Sequence, residues 1–161
     1  MAEKFYITTA ISYVNAKPHI GHAYEFIASD AIARYQRMLG KDVFFLSGVD
    51  EHSAKVEKAA AAAGMEPAPY CEQMSEVFRE LHQVVGSSLD GFIRTSEPRH
   101  HRTTQEMLNR SKANGDIYQD VYEGWYSPSS EAFMLESDLL EGNLDPVSKT
   151  PCEWMKEENY F

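Results

Sequence analysis

Residues 4–11 alternate and then run apolar, with β-branched Ile and Thr, a pattern that predicts a buried strand. From Gly21 to Leu39 the spacing becomes helical. Tyr24, Ile27, Ala28, Ala31, Ile32, Tyr35, Met38 and Leu39 form one stripe, expected to face the core, and Gly40 follows as the C-terminal cap. Val43-Phe44-Phe45-Leu46 reads as a central parallel strand covered on both faces, ending in the loop Gly48-Val49-Asp50-Glu51-His52. Helices are predicted over Ala54–Ala63, closed by Gly64, and from about Pro69 to Val85, with Tyr70, Met74, Val77, Phe78, Leu81 and Val85 on one face and Gly86 after it. Phe92–Thr95 is a weaker strand. Ser96-Glu97-Pro98 starts a helix that runs to Ala113, is half exposed, and stops at Gly115.

Strand, helix, strand, helix in this order predicts an α/β fold with a Rossmann-type parallel sheet and right-handed crossovers. After Gly115 the character changes, so a boundary is placed there: residues 1–115 form the sheet domain and 116–161 a second segment. Within it, Asp116 to Tyr126 reads as two antiparallel strands, and an aromatic stretch from Cys152 to Phe161 closes the chain.

Composition narrows the function. At 161 residues and 43% hydrophobic, the chain can bury a core, and 12% aromatic content argues against disorder. A net charge of −10 excludes binding of nucleic acid by overall charge, so any RNA contact needs a local basic patch. The one such patch, Arg94, Arg99, His100, His101 and Arg102, reads first as a solvated helix face. Cys71 and Cys152 are far apart and in no ligand spacing, which suggests a reducing compartment. No apolar run approaches membrane-spanning length, so a cytoplasmic protein with no membrane or DNA partner is expected.

The stretch Asn15-Ala16-Lys17-Pro18-His19-Ile20-Gly21-His22 sits between a predicted strand and a predicted helix. A helix start offers free backbone N–H groups to a phosphate, and Gly21 lets the backbone approach it closely. Two readings of His19 and His22 stand at this point: local bonding to the backbone, or contact with nucleotide phosphates. Asp50, at a strand end, is either a loop-capping aspartate or a partner for a cationic ligand such as an ammonium. Glu51 and His52 beside it support the site or are solvated. Ile11 and Tyr13 pack in the core or line the lip of a pocket for a small hydrophobic substrate.

The segments Tyr6 to Tyr24 and Phe45-Leu46-Ser47-Gly48-Val49-Asp50-Glu51-His52 closely resemble the amino-terminal part of the methionyl-tRNA synthetases, which are class I aminoacyl-tRNA synthetases. The likeness continues through Phe92–Thr95, Gly115–Tyr118, Tyr122–Tyr126 and Glu157–Phe161, and so covers essentially the whole chain in order. It implies a Rossmann-type catalytic domain interrupted by a connective-peptide insertion that begins near residue 115. It also implies the activity: ATP-dependent activation of methionine to methionyl-adenylate, then transfer to tRNA(Met), with Mg2+ as the counter-ion of ATP. Carried over by position, His19 and His22 are the catalytic residues and bind the ATP phosphates together with Asn15 and Gly21. Asp50 holds the methionine ammonium, and Ile11 and Tyr13 line the side-chain pocket.

The chain departs from the family pattern in four places. Ala10-Ile11-Ser12-Tyr13 stands where Pro-Ile-Tyr-Tyr is usual, and Ser53 stands where the loop after His52 usually has glycine. Many members bind a structural zinc through a knuckle beginning Cys-x-x-Cys. The matching stretches here are Tyr126-Ser127-Pro128-Ser129-Ser130 and Asp145-Pro146-Val147-Ser148, so no zinc is expected. The lysine-rich second signature of class I is absent from these 161 residues, and an incomplete chain is expected. The alternatives are a small nucleotidyltransferase, which needs no insertion after residue 115, and a non-catalytic synthetase-like paralogue that binds tRNA, an amino acid or a partner synthetase.

Overall fold

A computed structural model describes residues 2–161. The elements run β1 (Lys4–Thr8), β2 (Ser12–Tyr13), α1 (Ile20–Met38), β3 (Asp42–Asp50), α2 (Ala54–Ala62), α3 (Pro67–Val84), β4 (Gly91–Arg94), α4 (Pro98–Ala113), β5 (Gln119–Ser127), β6 (Ala132–Met134) and β7 (Glu153–Tyr160). The chain folds as two compact units, one reaching to Thr104 and one beginning at Gln105, so the division falls inside α4. No helix among the described residues is long and apolar enough to cross a membrane.

The first unit is built on an all-parallel sheet, as the alternating pattern predicts. β3 is its centre. Leu46 pairs with Thr8 on one edge and Gly91 on the other, and Val49 pairs likewise with Ser12 and Arg94. β1 and β2 therefore lie on the same edge of β3, as one strand interrupted over residues 9–11. From Thr8 to Ser12 the edge advances four residues while β3 advances three, from Leu46 to Val49, so one extra residue is accommodated there. The core gathers Val14, Phe26, Val49, Val56, Cys71, Met74, Phe78 and Phe92. The helix ends hold where the sequence put them: Gly40, Gly64, Gly86 and Gly115 all have positive φ just beyond their helices.

Four expectations are corrected in this unit. The inward face of α1 is Ala23, Phe26, Asp30 and Ala33, not the stripe from Tyr24 to Leu39, of which Tyr24, Ile27, Ile32, Tyr35, Met38 and Leu39 are exposed. Two alanines bring that face close to the sheet. Asp30 is tolerated inside because its carboxylate accepts from Ser88 N–H at 2.6 Å and pairs with Arg34 at 2.6 Å. β3 is covered on one face only at its start: Phe45 is buried, while Phe44 stays exposed and stacks on exposed Tyr6. Gly48 to Asp50 belong to the strand rather than to a loop. α4 buries no residue, so it is more exposed than its sequence suggested.

In the second unit the segment before Tyr126 is one long strand rather than two. β5 pairs antiparallel with β7 from Gln119↔Tyr160 to Tyr126↔Glu153, and with β6 at its end. Gly124 is no turn. A Cβ there would lie 3.4 Å from Phe133 Cδ1, and Phe133 packs edge-on against Tyr122 and Tyr126 on either side.

Candidate active-site cleft

α1 starts because His19 takes an extended conformation (φ −124°, ψ 178°) and caps it. His19 Nδ1 accepts the Gly21 N–H at 3.0 Å, and His22 Nδ1 accepts the His19 N–H at 3.0 Å. The rings sit 4.0 Å apart, centroid to centroid. This is a capping box with imidazoles in place of hydroxyl and carboxylate. Of the two readings, backbone bonding is realised, yet it does not exhaust the residues. A neutral ring that accepts at Nδ1 carries its proton on Nε2, so both histidines remain hydrogen-bond donors through Nε2. His22 is half-buried, and burial together with the neighbouring His19 lowers its pKa, favouring that neutral form.

Two details of the sequence reading change here. The N–H groups of His19 and Gly21 are not free for a phosphate, since the imidazoles already hold them. Gly21 serves a different close approach: a Cβ there would lie 2.8 Å from His19 Cε1, so the glycine accommodates the folded-back ring.

His19 and His22 line a cleft of about 440 Å³ together with Ile11, Ser12, Tyr13, Asn15, Ala16, Lys17 and Lys55. Five of the residues singled out by sequence thus share one cavity, and Gly21 adjoins it. Asp50 does not line it but lies next door, as the register partner of Tyr13 across β2 and β3. Asp50 Oδ1 accepts the His52 N–H at 3.1 Å, the loop-capping role, and Thr95 Oγ1 lies 3.4 Å away. Ser53 is extended (φ −156°) and caps α2 by accepting the Lys55 N–H at 3.1 Å. Replacing a glycine there creates no strain, because the position needs no positive φ.

Several residues went unread in the sequence. Glu25 reaches back from α1 to accept the Ala10 N–H at 2.7 Å, holding the strand exit that presents Ile11. Lys17 and Lys55 bring positive charge to the cleft in a chain that is acidic overall. Of the two readings of Glu51, the solvated one is excluded: its buried carboxylate pairs with Arg94 at 2.7 Å and accepts from Ser75 at 2.6 Å and from Ser96. Burial pushes its pKa up, and these bonds outweigh that and leave it lowered. The same pairing takes Arg94 out of the basic patch, and Arg99 donates to the Phe92 carbonyl at 2.7 Å. His82, read only as part of a helix, is buried: its Nε2 lies 3.0 Å from Ser47 Oγ, which lies 2.7 Å from Thr9 Oγ1 at the end of β1.

A family profile described as tRNA synthetases class I (M) matches residues 5–149. The chain belongs to this family. Curated relatives agree: it is 49% identical to the methionine–tRNA ligase of Mesorhizobium japonicum, over 99% of this chain and 31% of that protein. It is 47% identical to the Thermotoga maritima enzyme, over 98% of this chain and 26% of that one. The chain thus spans about a third or less of the length of these relatives. Among solved structures, Mycobacterium tuberculosis methionyl-tRNA synthetase in complex with methionyl-adenylate superimposes with a TM-score of 0.89 at 47% identity, over 98% of this chain and 32% of that chain. A leucyl counterpart, the Agrobacterium radiobacter K84 LeuRS in a ternary complex with tRNA, shares the fold with a TM-score of 0.78 at 20% identity. The Rossmann-type α/β class read from the sequence is that of this family's catalytic domain.

Proposed function

We propose that this chain carries the amino-terminal half of the ATP site and part of the amino-acid pocket of a methionine–tRNA ligase. In the reaction, the methionine carboxylate attacks the α-phosphorus of ATP, pyrophosphate leaves, and the adenylate then passes its methionyl group to tRNA(Met). The two Nε2–H donors of His19 and His22 suit the charge that builds on the phosphate oxygens as the carboxylate attacks, because they are oriented before the substrate arrives. Asn15 and Lys17 border the same cleft and extend it along a polyphosphate. Mg2+ enters as the counter-ion of ATP. Asp50 is the anionic partner for the methionine ammonium, and Ile11 with Tyr13 offers an apolar lip for the thioether side chain.

The observation that carries this reading is the reciprocal imidazole cap: it fixes both rings as donors at the mouth of a cleft that also holds Ile11 and Tyr13. The test is pyrophosphate exchange into ATP by the protein produced from its full gene. Exchange that depends on methionine and not on leucine or isoleucine supports the proposal. Absence of exchange, with methionine still bound, supports the non-catalytic paralogue instead.

A further inference from the structure

The second unit contains two five-residue turns built to one pattern. Ser127-Pro128-Ser129-Ser130-Glu131 and Asp145-Pro146-Val147-Ser148-Lys149 each place proline after the first residue and end on a residue of positive φ, 51° at Glu131 and 60° at Lys149. In each, the side-chain oxygen of the first residue accepts the backbone N–H of the fourth: Ser130 N to Ser127 Oγ at 3.2 Å, and Ser148 N to Asp145 Oδ1 at 3.1 Å. The four key positions, 127, 130, 145 and 148, have the paired x-x spacing of a tetrahedral metal knuckle. They do not have its chemistry. Three are serines, whose hydroxyls are poor zinc ligands, and among the described residues no group of three or more His, Cys, Asp or Glu is placed to hold a metal.

At the centre stands the Asp145 carboxylate, fully buried beside fully buried Ser127. Its Oδ2 accepts from Ser127 Oγ and Ser130 Oγ, each at 2.5 Å, which ties the second turn to the first. Its Oδ1 accepts the N–H groups of Val147 at 2.7 Å and Ser148 at 3.1 Å. Those hydroxyls, followed by the amides, hold the carboxyl well below the usual range, so the charge is retained. A rim of hydroxyls, Ser129, Ser148 and Thr150, closes the join at 2.6–2.8 Å.

We propose that this is a metal-free knuckle pair: an anion that accepts four hydrogen bonds holds the two turns where, in a metal knuckle, a cation would accept four ligands. The polarity is reversed. Lone pairs that would converge on a metal are committed to hydroxyl and amide protons, and the site takes up no divalent ion. This inference stands apart from the proposed activity, since it concerns only how the second unit is held.

The two tryptophans of the chain, Trp125 and Trp154, are register partners in β5 and β7, so their fluorescence reports this unit alone. The 161-residue chain is purified from zinc-supplemented medium, assayed for metal, and melted by tryptophan fluorescence with and without EDTA. The expected result is less than a tenth of an equivalent of zinc and a transition that EDTA does not move. One zinc per chain, or a transition lowered by EDTA, overturns the proposal. Asp145→Ala is expected to lower the transition by several degrees, and an unchanged transition counts against the carboxylate as the lock. The combined variant Ser127→Cys, Ser130→Cys, Asp145→Cys and Ser148→Cys is expected to bind one Co2+ with the intense visible bands of tetrahedral thiolate coordination. The parent chain, with its two native cysteines, gives none. Failure of the variant to bind one equivalent while its tryptophan fluorescence still shows the cooperative transition of the parent shows that the four positions do not converge as a knuckle.

Discussion

His19 and His22 hold each other's place: His22 Nδ1 takes the His19 N–H at 3.0 Å, and His19 Nδ1 folds over the helix start to take that of Gly21, also at 3.0 Å. The pair both caps α1 and lines the cleft. Structural and chemical roles are shared out between the two nitrogens of each ring, Nδ1 inward to the backbone and Nε2 left to donate.

His22→Ala removes one donor and one cap acceptor at once. In the protein from the full gene, methionine-dependent pyrophosphate exchange is expected to slow by the equivalent of about 2–4 kcal/mol, the scale of one preorganised charge-stabilising donor. The lost cap costs about 0.5–2 kcal/mol of stability. Thermal melts separate the two. A rise in methionine KM at unchanged kcat contradicts the phosphate role.

Asp50→Asn distinguishes the loop-capping role from the ligand role. An asparagine Oδ1 can still accept the His52 N–H, so the melting temperature is expected to stay within a degree or two. The charge that would meet an ammonium is gone, so methionine use is expected to fall by at least a hundredfold, on the scale of about 3 kcal/mol for a charge-assisted bond. Unchanged methionine kinetics rule out the assignment.

Arg94→Ala leaves the Glu51 carboxylate buried without its cation. Breaking a buried pair in this way costs about 3–5 kcal/mol, because the remaining charge keeps its desolvation penalty. Chemical denaturation is the measurement. Arg94→Ala combined with Glu51→Gln is expected to recover part of the loss, whereas a simple sum of two losses argues against coupling.

His82 makes stability depend on pH. Burial lowers its pKa from 6.5 to about 4, with nearby Asp30 opposing the shift. The unfolded chain therefore binds a proton in a range where the folded chain does not. Stability is fully present above pH 6.5 and falls as pH drops towards 4, by about 1.4 kcal/mol per unit and about 3 kcal/mol in all. His82→Gln is expected to flatten that slope between pH 6.5 and 4, measured by urea midpoints. A slope unchanged by the substitution sinks the assignment.

Much of the site was legible because it is local. A strand end, a turn and a helix start within residues 8–22 bring His19, His22, Asn15, Ile11 and Tyr13 to one cleft with no help from distant sequence, apart from Lys55. Asp50 needed only the parallel pairing of β2 with β3. What stayed unread depends on partners far along the chain. Glu51 meets Arg94 across 43 residues and Ser75 across 24, and a carboxylate next to a loop looks solvated until those partners arrive. The stripe on α1 misled for a related reason: helical periodicity shows that a face is apolar, and it does not say which face the sheet takes.

The sequence by itself determined the order of the main strands and helices of the first unit, the glycine-closed helix ends, the parallel sheet and the residues of the turn before α1. All of these follow from backbone preferences and side-chain periods acting over a few residues. Tertiary structure alone decided that Glu51 is buried and paired with Arg94. It also decided that Asp145 ties two turns 18 residues apart. Each of these is a question of which polar group satisfies which once water is excluded, and that is settled only when segments remote in sequence are brought together.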